Sequence, residues 1–363
     1  MGYKILAINP GSTSTKVALY DEERPLLELN LRHSTEEISR FAGVNDQLDW
    51  RRGLILSALR EEAFDIRNLS AVIGRGGLIR PIPAGVYEVN SRMRYDLRNA
   101  QMKHACNLGG LLAAQIAHMA GVKAYIADPP VVDEMDDVAR VSGLPELPRK
   151  MQGHALNCRA MAIRCADEVL HKPLADCRLI VLHLGGGGSC RLFVDGRMVD
   201  CVRDDEWMFA PKRFGGAAMQ DVVTLCYSGK YTYEEMRRKI RGRGGMYAHL
   251  GVSDCRVIEQ MINDGDEHAA LILDAQAYQI AKTIGLLSIV LKGDCDAIIL
   301  TGGLAYSELL TGKIKDYVGF IAPVCVLAGE TEMEALALGG VRMLTGEEQP
   351  NVYHASDGKG KNK

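Results

Sequence analysis

The sequence predicts a mixed α/β protein built from two duplicated halves. A short apolar strand, a small-residue turn and a second apolar strand open the chain at residues 3–20, and the same pattern returns at residues 179–199. A third strand-and-glycine turn lies at residues 297–303. The length, 363 residues, is too great for one ordinary core and comfortable for two domains.

In chain order, Tyr3–Asn9 is β-branched and apolar and predicts a strand. Pro10 and Gly11 turn the chain into a run of hydroxyl side chains, and Lys16–Tyr20 returns as the second strand of a hairpin. Helical periodicity follows at Trp50–Ala63 and Cys106–Met119, with short strands at Ala71–Ile73 and Ala124–Ala127. In the second half Ile180–Leu184 and Ser189–Asp195 are strands about the turn Gly185–Gly188, and Asp195-Gly196-Arg197 is a hairpin turn. Helices are expected at Gln152–Leu170 and Glu267–Lys292, and the strand Ala297–Leu300 runs into the turn Thr301-Gly302-Gly303. The polar, Gly- and Lys-rich end, residues 356–363, reads as a disordered tail.

Composition narrows the function. A net charge of −3, with Arg and Lys spread along the chain, argues against a nucleic-acid partner. The longest apolar stretch, Thr283–Leu291, is too short for a bilayer, so no membrane role is expected. Ten cysteines stand singly with no CxxC pair, as expected of small buried hydrophobes in a reducing cytoplasm. The start of the chain runs directly into a strand rather than a signal segment, which also predicts a cytoplasmic location. Glycine is the informative excess: 38 glycines imply tight turns and close backbone approaches.

Glycine turns after short strands let backbone N–H groups converge on an anion. No GxxxxGK[ST] occurs, and no GxGxxG opens a helix after a strand, so neither standard nucleotide loop is present. Three glycine turns, two of them inside hairpins, fit a nucleotide clamped between two related domains. Ile8-Asn9-Pro10-Gly11-Ser12-Thr13-Ser14-Thr15-Lys16 resembles the first phosphate hairpin of the acetate and butyrate kinases. His183-Leu184-Gly185-Gly186-Gly187-Gly188-Ser189 resembles their second, and Leu300-Thr301-Gly302-Gly303 their adenosine turn. Further similar stretches fall in the same order: Gly74–Gly77, Asp128–Met135, His154–Asn157, Phe209–Arg213, Ser253–Arg256 and Gly329–Ala337. The wording at Asp128–Met135 and His154–Asn157 is nearer the butyrate kinases.

The resemblance implies two duplicated actin-like (ribonuclease H-like) domains with a nucleotide cleft between them. One would span residues 1–150, with the first phosphate hairpin and part of the acid site. The other would span 151–355, with the second hairpin and the adenosine turn, its C-terminal segment free to pack back on the first. It implies ATP and Mg²⁺ as cofactors, a small carboxylic acid as substrate and a homo-oligomer, dimer or higher. The reaction implied is reversible phosphorylation of a short-chain carboxylate, butyrate or a branched relative, to an acyl phosphate. Acetate or propionate as the acid, a hydroxyl-directed kinase of the same fold, and a non-catalytic ATP-binding regulatory module are the alternatives.

Phosphoryl transfer needs cations and N–H donors to offset charge, and carboxylates to hold metal. Arg75, Arg213, His154, His183 and Asp128 are the expected catalytic residues, Arg because it grips carboxylate or phosphate bidentately. Nucleotide is expected on Asn9, Gly11, Ser12, Thr13, Ser14, Lys16, Gly185, Gly186, Gly187, Asp254, Arg256, Gly302 and Gly303. Asp254 and Arg256 could equally be an exposed pair at a helix start. Glu332, Asn9 and Asp128 are the expected metal ligands, with Glu330 competing for the place of Glu332. Three stretches depart from the butyrate kinase pattern: Gly153 stands where an aromatic is usual, Gly188 where a bulkier apolar residue is common, and Asp204–Trp207 lacks glycine. The first two changes remove apolar volume close to the proposed acid site.

Overall fold

The computed structural model describes residues 2–354; the expected tail at 356–363 lies outside the described residues. Two compact units are present, one formed by the chain up to Asp133 together with the segment from Thr331 onward, the other by Glu134–Glu330. The first unit therefore ends before the boundary at 150 expected from the sequence, and the second unit ends at Glu330.

The first unit holds a six-stranded sheet. Its strands are β1 (Lys4–Pro10), β2 (Ser14–Asp21), β3 (Arg24–Arg32), β4 (Ala71–Arg75), β5 (Val86–Glu88) and β6 (Lys123–Ala127), in the order β3-β2-β1-β4-β6-β5. β1, β2 and β3 form an antiparallel meander, while β1, β4 and β6 run parallel. The second unit holds β7 (Arg178–Leu184), β8 (Gly188–Val194), β9 (Arg197–Arg203), β10 (Ala297–Gly302) and β11 (Val324–Ala328), in the order β11-β10-β7-β8-β9. Here β7, β8 and β9 form the meander, and β7, β10 and β11 run parallel. The two sheets thus repeat one topology, down to a register shift near the end of β2 at Leu19/Tyr20 and of β8 at Leu192/Phe193. This is the duplication that the sequence predicts.

Each sheet is covered by helices on the pattern of parallel β-structure. In the first unit, helices Leu48–Glu61 and Leu108–Ala120 contribute Ile55, Leu59, Leu111, Leu112 and Ile116 to a core with Leu6, Ile8 and Val72. The second of these helices lies on β4 with almost no spacer. A Cβ at Gly74 would fall 2.2 Å from the carbonyl oxygen of Gly109, and one at Gly109 would fall 2.1 Å from that of Arg75. Only a glycine pair permits that approach. Helix Glu332–Thr345 packs Ala337 against Ala18 and Tyr20, and sets Gly340 beside Ile5. In the second unit, Ile272, Leu273, Ile280 and Ile284 of helix Glu267–Ser288 join Ile180, Leu182, Cys190 and Leu192 in the core, and helix Ala155–Glu168 packs on β7.

The hairpin at Asp195-Gly196 is as expected, with φ of 50° and 77° at the two central residues. Two expectations are corrected. The helix expected from Gln152 begins only at Ala155, because Gly153 takes φ 131°, outside any helix. Thr301 and Gly302, expected in a turn, complete β10. Six of the ten cysteines are buried (Cys106, Cys158, Cys165, Cys177, Cys190 and Cys201), as the apolar reading predicts, while Cys226 is exposed. No helix among the described residues is long and apolar enough to cross a membrane.

Candidate active site

In the first unit the parallel strands β1, β4 and β6 end side by side, and their carboxyl ends carry three of the predicted residues. Asn9 closes β1; Ile8 pairs with Gly74, placing Arg75 next to it; Arg75 pairs with Ala127, so Asp128 leaves the same edge. Functional groups gather at such strand ends because the chain turns there while the sheet holds them rigidly. Glu332, the first residue of its helix, completes the group. Its carboxylate accepts from the Asn9 amide at 2.6 Å and meets one Arg75 nitrogen, Nη1, at 2.9 and 3.1 Å. Asn9 is buried, and the side chains of Arg75 and Glu332 are only 25% and 15% exposed. At that burial the attraction is screened less than in a surface salt bridge, while desolvation of both groups offsets part of it.

Asp128 has φ 37° directly before Pro129, where an extended conformation is the ordinary one. The residue is buried, and its Oδ1 accepts from the Gly85 N–H at 2.7 Å, so the carboxylate anchors the loop that precedes β5. Backbone strain of this kind persists where the surroundings over-determine it, and it concentrates at functional positions.

The first glycine turn is tight, with the Gly11 N–H donating to the Ser14 carbonyl at 2.8 Å. Ser12 and Thr13 are exposed at its tip, Gly11 and Ser14 are half-buried, and exposed Lys16 lies directly across from Asn9. The sequence reading missed the group beneath this turn. Arg51, 1% exposed, sends Nη1 to the carbonyls of Gly11 (2.9 Å) and Ser14 (3.1 Å) and to the Thr15 hydroxyl (2.9 Å). Its other nitrogens bind Gln47 Oε1 at 3.1 and 2.9 Å. Every acceptor is neutral, and burial pulls the guanidinium down to about 10. Arg51 thus ties back the turn's carbonyls and leaves positive charge directly below its hydroxyls.

In the second unit, β7 ends at His183 and Leu184, and His183 stands in register with Thr301 of β10. Asn157 links them: its Nδ2 lies 3.0 Å from His183 Nδ1 and 3.2 Å from Thr301 Oγ1. Nδ2 is a donor, so Nδ1 accepts and the His183 proton sits on Nε2, which lies 3.3 Å from Glu330 Oε1. His154 stacks on His183 with ring centroids 3.8 Å apart and planes 12° from parallel, and its Nδ1 is 3.2 Å from Ser189 Oγ. The two predicted histidines therefore form one unit.

The second glycine turn closes with the Gly185 N–H on the Gly187 carbonyl at 2.9 Å. A Cβ on Gly186 would meet nothing within 4 Å, whereas one on Gly187 would fall 2.5 Å from Asp204 Oδ2 and 3.2 Å from Arg213 Nε. Arg213 therefore lies against the turn, 3.3 Å from Asp204. Asp204 also accepts from the Gly188 N–H at 3.0 Å and stands 3.5 Å from Arg241. Burial raises its carboxyl above the usual range, against the pull of the Gly188 N–H, Arg241 and Arg213. Sequence reasoning treated Asp204–Trp207 only as a departure; the acid is what aims Arg213.

Gly302 and Gly329 exchange backbone hydrogen bonds of 3.0 Å, and a Cβ on Gly303 would face open space. Asp254 and Arg256 form an exposed pair at a helix start. Asp254 Oδ1 caps helix Cys255–Asn263 by accepting from Arg256 N–H at 3.0 Å, and the exposed side chains pair at 2.6 Å. Their helix is tied to the segment after Gly303 by a Ser307–Glu259 hydrogen bond.

The model of the acetokinase family matches residues 154–309. "Butyrate kinase 1" of Clostridium acetobutylicum is 49% identical to the chain, over 97% of the chain and 99% of that protein. "Probable butyrate kinase" of Bacteroides thetaiotaomicron is 46% identical, over 96% of the chain and 99% of that protein. Among solved structures, the acetate kinase of Porphyromonas gingivalis superposes with a TM-score of 0.76 at 19% identity, covering 94% of this chain and all of that one. A propionate kinase from Francisella tularensis gives 0.72 at 16% identity, covering 93% and 98%. At these identities the structural matches establish the fold, two actin-like α/β units.

Proposed function

The chain belongs to the butyrate kinase family within the acetokinases, and from that premise we propose that it transfers the γ-phosphoryl group of ATP to a short-chain aliphatic carboxylate, butyrate being the reference acid. The products are an acyl phosphate and ADP, and the reaction runs in both directions. The observation that carries this reading is the second-unit constellation, in which a stacked histidine pair and an acid-aimed arginine surround a glycine turn. These groups supply N–H donors and positive charge, which suits direct in-line transfer.

A carboxylate is ionised at neutral pH and is its own nucleophile, so no base has to remove a proton. The obstacle is repulsion between two anions. Unit charges 4 Å apart interact by about 4 kcal/mol at an effective dielectric of about 20, so one well-placed guanidinium cancels a large part of the barrier. Arg213, braced by Asp204, faces the transferring phosphoryl group; Arg75 orients the acid or the phosphate; the His154–His183 pair donates to equatorial oxygens. In the first unit the exposed Ser12 and Thr13, and in the second the turn at Gly185–Gly187, each offer donors to nucleotide phosphates, and the Gly302–Gly303 turn takes the adenosine. Glu332, with the amide oxygen of Asn9, is the hard-oxygen pair suited to Mg²⁺, which is commonly held by one or two carboxylates plus phosphate oxygens and water. When bound, Mg²⁺ neutralises phosphate charge. A cytoplasmic homo-oligomer is part of the same proposal.

The test is an ATP- and Mg²⁺-dependent hydroxamate assay over straight and branched acids from about C2 to C6, since hydroxylamine traps acyl phosphates and not sugar phosphates. Hydroxamate from C4 or C5 acids supports the reading. Protein that binds ATP and yields none with any acid defeats it.

Arg51 provides a separate prediction. Arg51→Met removes the charge under the first turn and raises the KM for ATP about 10-fold or more, on the scale of one lost charge-assisted hydrogen bond. Arg51→Lys recovers part of that loss. Equal rises in the KM for ATP and for the acid would mean that Arg51 only holds the fold.

A further inference from the structure

The turn that carries Ser12 and Thr13 is held from the protein side by two residues, and the second of them, after Arg51, is His33. Its ring is 5% exposed and packs on Trp50 with centroids 4.7 Å apart. Its main-chain N–H donates to the Thr13 carbonyl at 2.8 Å, and its Nε2 lies 2.8 Å from the Thr15 hydroxyl. The same hydroxyl accepts from Arg51 Nη1 at 2.9 Å. Three carbonyls of the turn are thus engaged, those of Gly11 and Ser14 by Arg51 and that of Thr13 by His33.

Proton counting fixes the bond directions. Arg51 can only donate, so the single hydrogen of the Thr15 hydroxyl is left to point at His33 Nε2, and the imidazole proton sits on Nδ1. Among the described residues Nδ1 is buried without a hydrogen bond of normal geometry, the Arg32 carbonyl exerting only a weak pull on it. A neutral ring therefore completes a relay from Arg51 through Thr15 to His33. A protonated ring breaks it, because Nε2 becomes a donor and two cations then face one buried hydroxyl oxygen. Burial and then Arg51 push the imidazole below its ordinary range, against smaller pulls from Glu37 and the Arg32 carbonyl. The other nearby charges turn away: Lys16 is exposed and alternates to the face opposite Thr15, and the Arg32 side chain is exposed.

We propose that His33 is a positioning residue for the nucleotide, its neutral ring fixing the first turn through Thr15 and a proton on that ring releasing the turn and weakening nucleotide binding. This rests on the kinase reading above, which puts phosphate at Ser12 and Thr13. A ring held below its ordinary range takes up a proton less readily in the folded chain than in the unfolded one. The relay is therefore complete above pH about 6.5 and is lost as pH falls below it.

The test is calorimetric binding of ATP with Mg²⁺ at about pH 7.5 and about pH 5.5, in the natural protein and in His33→Gln. The Gln amide oxygen accepts from Thr15 but takes no proton in this range. On going to the lower pH the Kd of the natural protein rises about 10-fold more than that of His33→Gln, the scale of one charge-assisted hydrogen bond. Titration of the nucleotide itself is common to both proteins and cancels in the ratio. Equal pH dependence in the two overturns the proposal. Trp50 gives a second measurement that leaves His33 in place. The chain has two tryptophans, so in Trp207→Phe the emission comes from Trp50 alone and drops as the ring against it gains a proton. Saturating ATP with Mg²⁺ moves the midpoint of that drop to lower pH, because a ligand that favours the neutral ring opposes the proton. A midpoint unmoved by ATP overturns the proposal. Protein that binds no ATP at either pH overturns the kinase reading along with it, an outcome distinct from the other two.

Discussion

Arg213→Ala lowers kcat by about 10³-fold, the scale on which a single transition-state arginine acts in phosphoryl transfer. The structure explains why the loss falls on kcat rather than on binding. Arg213 lies along the second glycine turn, where a Cβ on Gly187 would fall 3.2 Å from its Nε and 2.5 Å from Asp204 Oδ2, and Asp204 stands 3.3 Å from the guanidinium. An arginine fixed in this way reaches its partner without reorganising, and its benefit grows as charge spreads over the moving phosphoryl group. Arg213→Lys keeps a point charge but not the planar fork, and recovers only a small part of the rate. Steady-state kinetics over ATP and acid concentrations check this. A loss of less than about 10-fold in kcat, with the main effect in either KM, would remove Arg213 from the transition state.

Glu332→Gln raises the Mg²⁺ concentration for half-maximal activity by about 10- to 100-fold, the usual cost of disturbing a metal ligand or its orienting partner. The change also frees Arg75, which Glu332 now holds at 2.9 and 3.1 Å. Glu330→Gln is the comparison. Glu330 neighbours His183 in the second unit, whereas Glu332 joins Asn9 and Arg75 in the first, so the two acids have separate partners. A larger Mg²⁺ effect in Glu330→Gln than in Glu332→Gln would exchange their roles.

The sequence made the strand-turn-strand repeat legible because both hairpins combine apolar strands with small-residue turns, a signal held within about twenty residues. The same locality explains the misses. Arg51 lies within a helical pattern, where one arginine looks like a solvated face; the turn that it binds is 36 to 40 positions away along the chain. Asp204 is 16 positions from the Gly188 N–H that it accepts from, and Glu332 is 323 from the Asn9 amide. Asn9, Arg75 and Glu332 were singled out because their motifs were recognisable, and the structure brings them together, though nothing in their spacing predicts that they meet. The exposed Asp254–Arg256 pair illustrates the converse, a motif whose local geometry is a helix cap and an ion pair.

The second unit is one uninterrupted stretch of chain, whereas the first is completed only by the segment from Thr331 onward. During synthesis the ribosome delivers the second unit whole while the first still lacks Glu332–Thr345. Until that helix emerges, Ile5, Ala18 and Tyr20 have no Ala337 or Gly340 to cover them, and Asn9 and Arg75 have no Glu332. The nascent chain therefore carries an uncapped apolar sheet face through nearly the whole of translation, the kind of surface that chaperones hold and aggregates grow from. Competence arrives at the end: a chain stopped short of Glu332 can hold most of the fold's residues and still lack the carboxylate that organises its first-unit half-site.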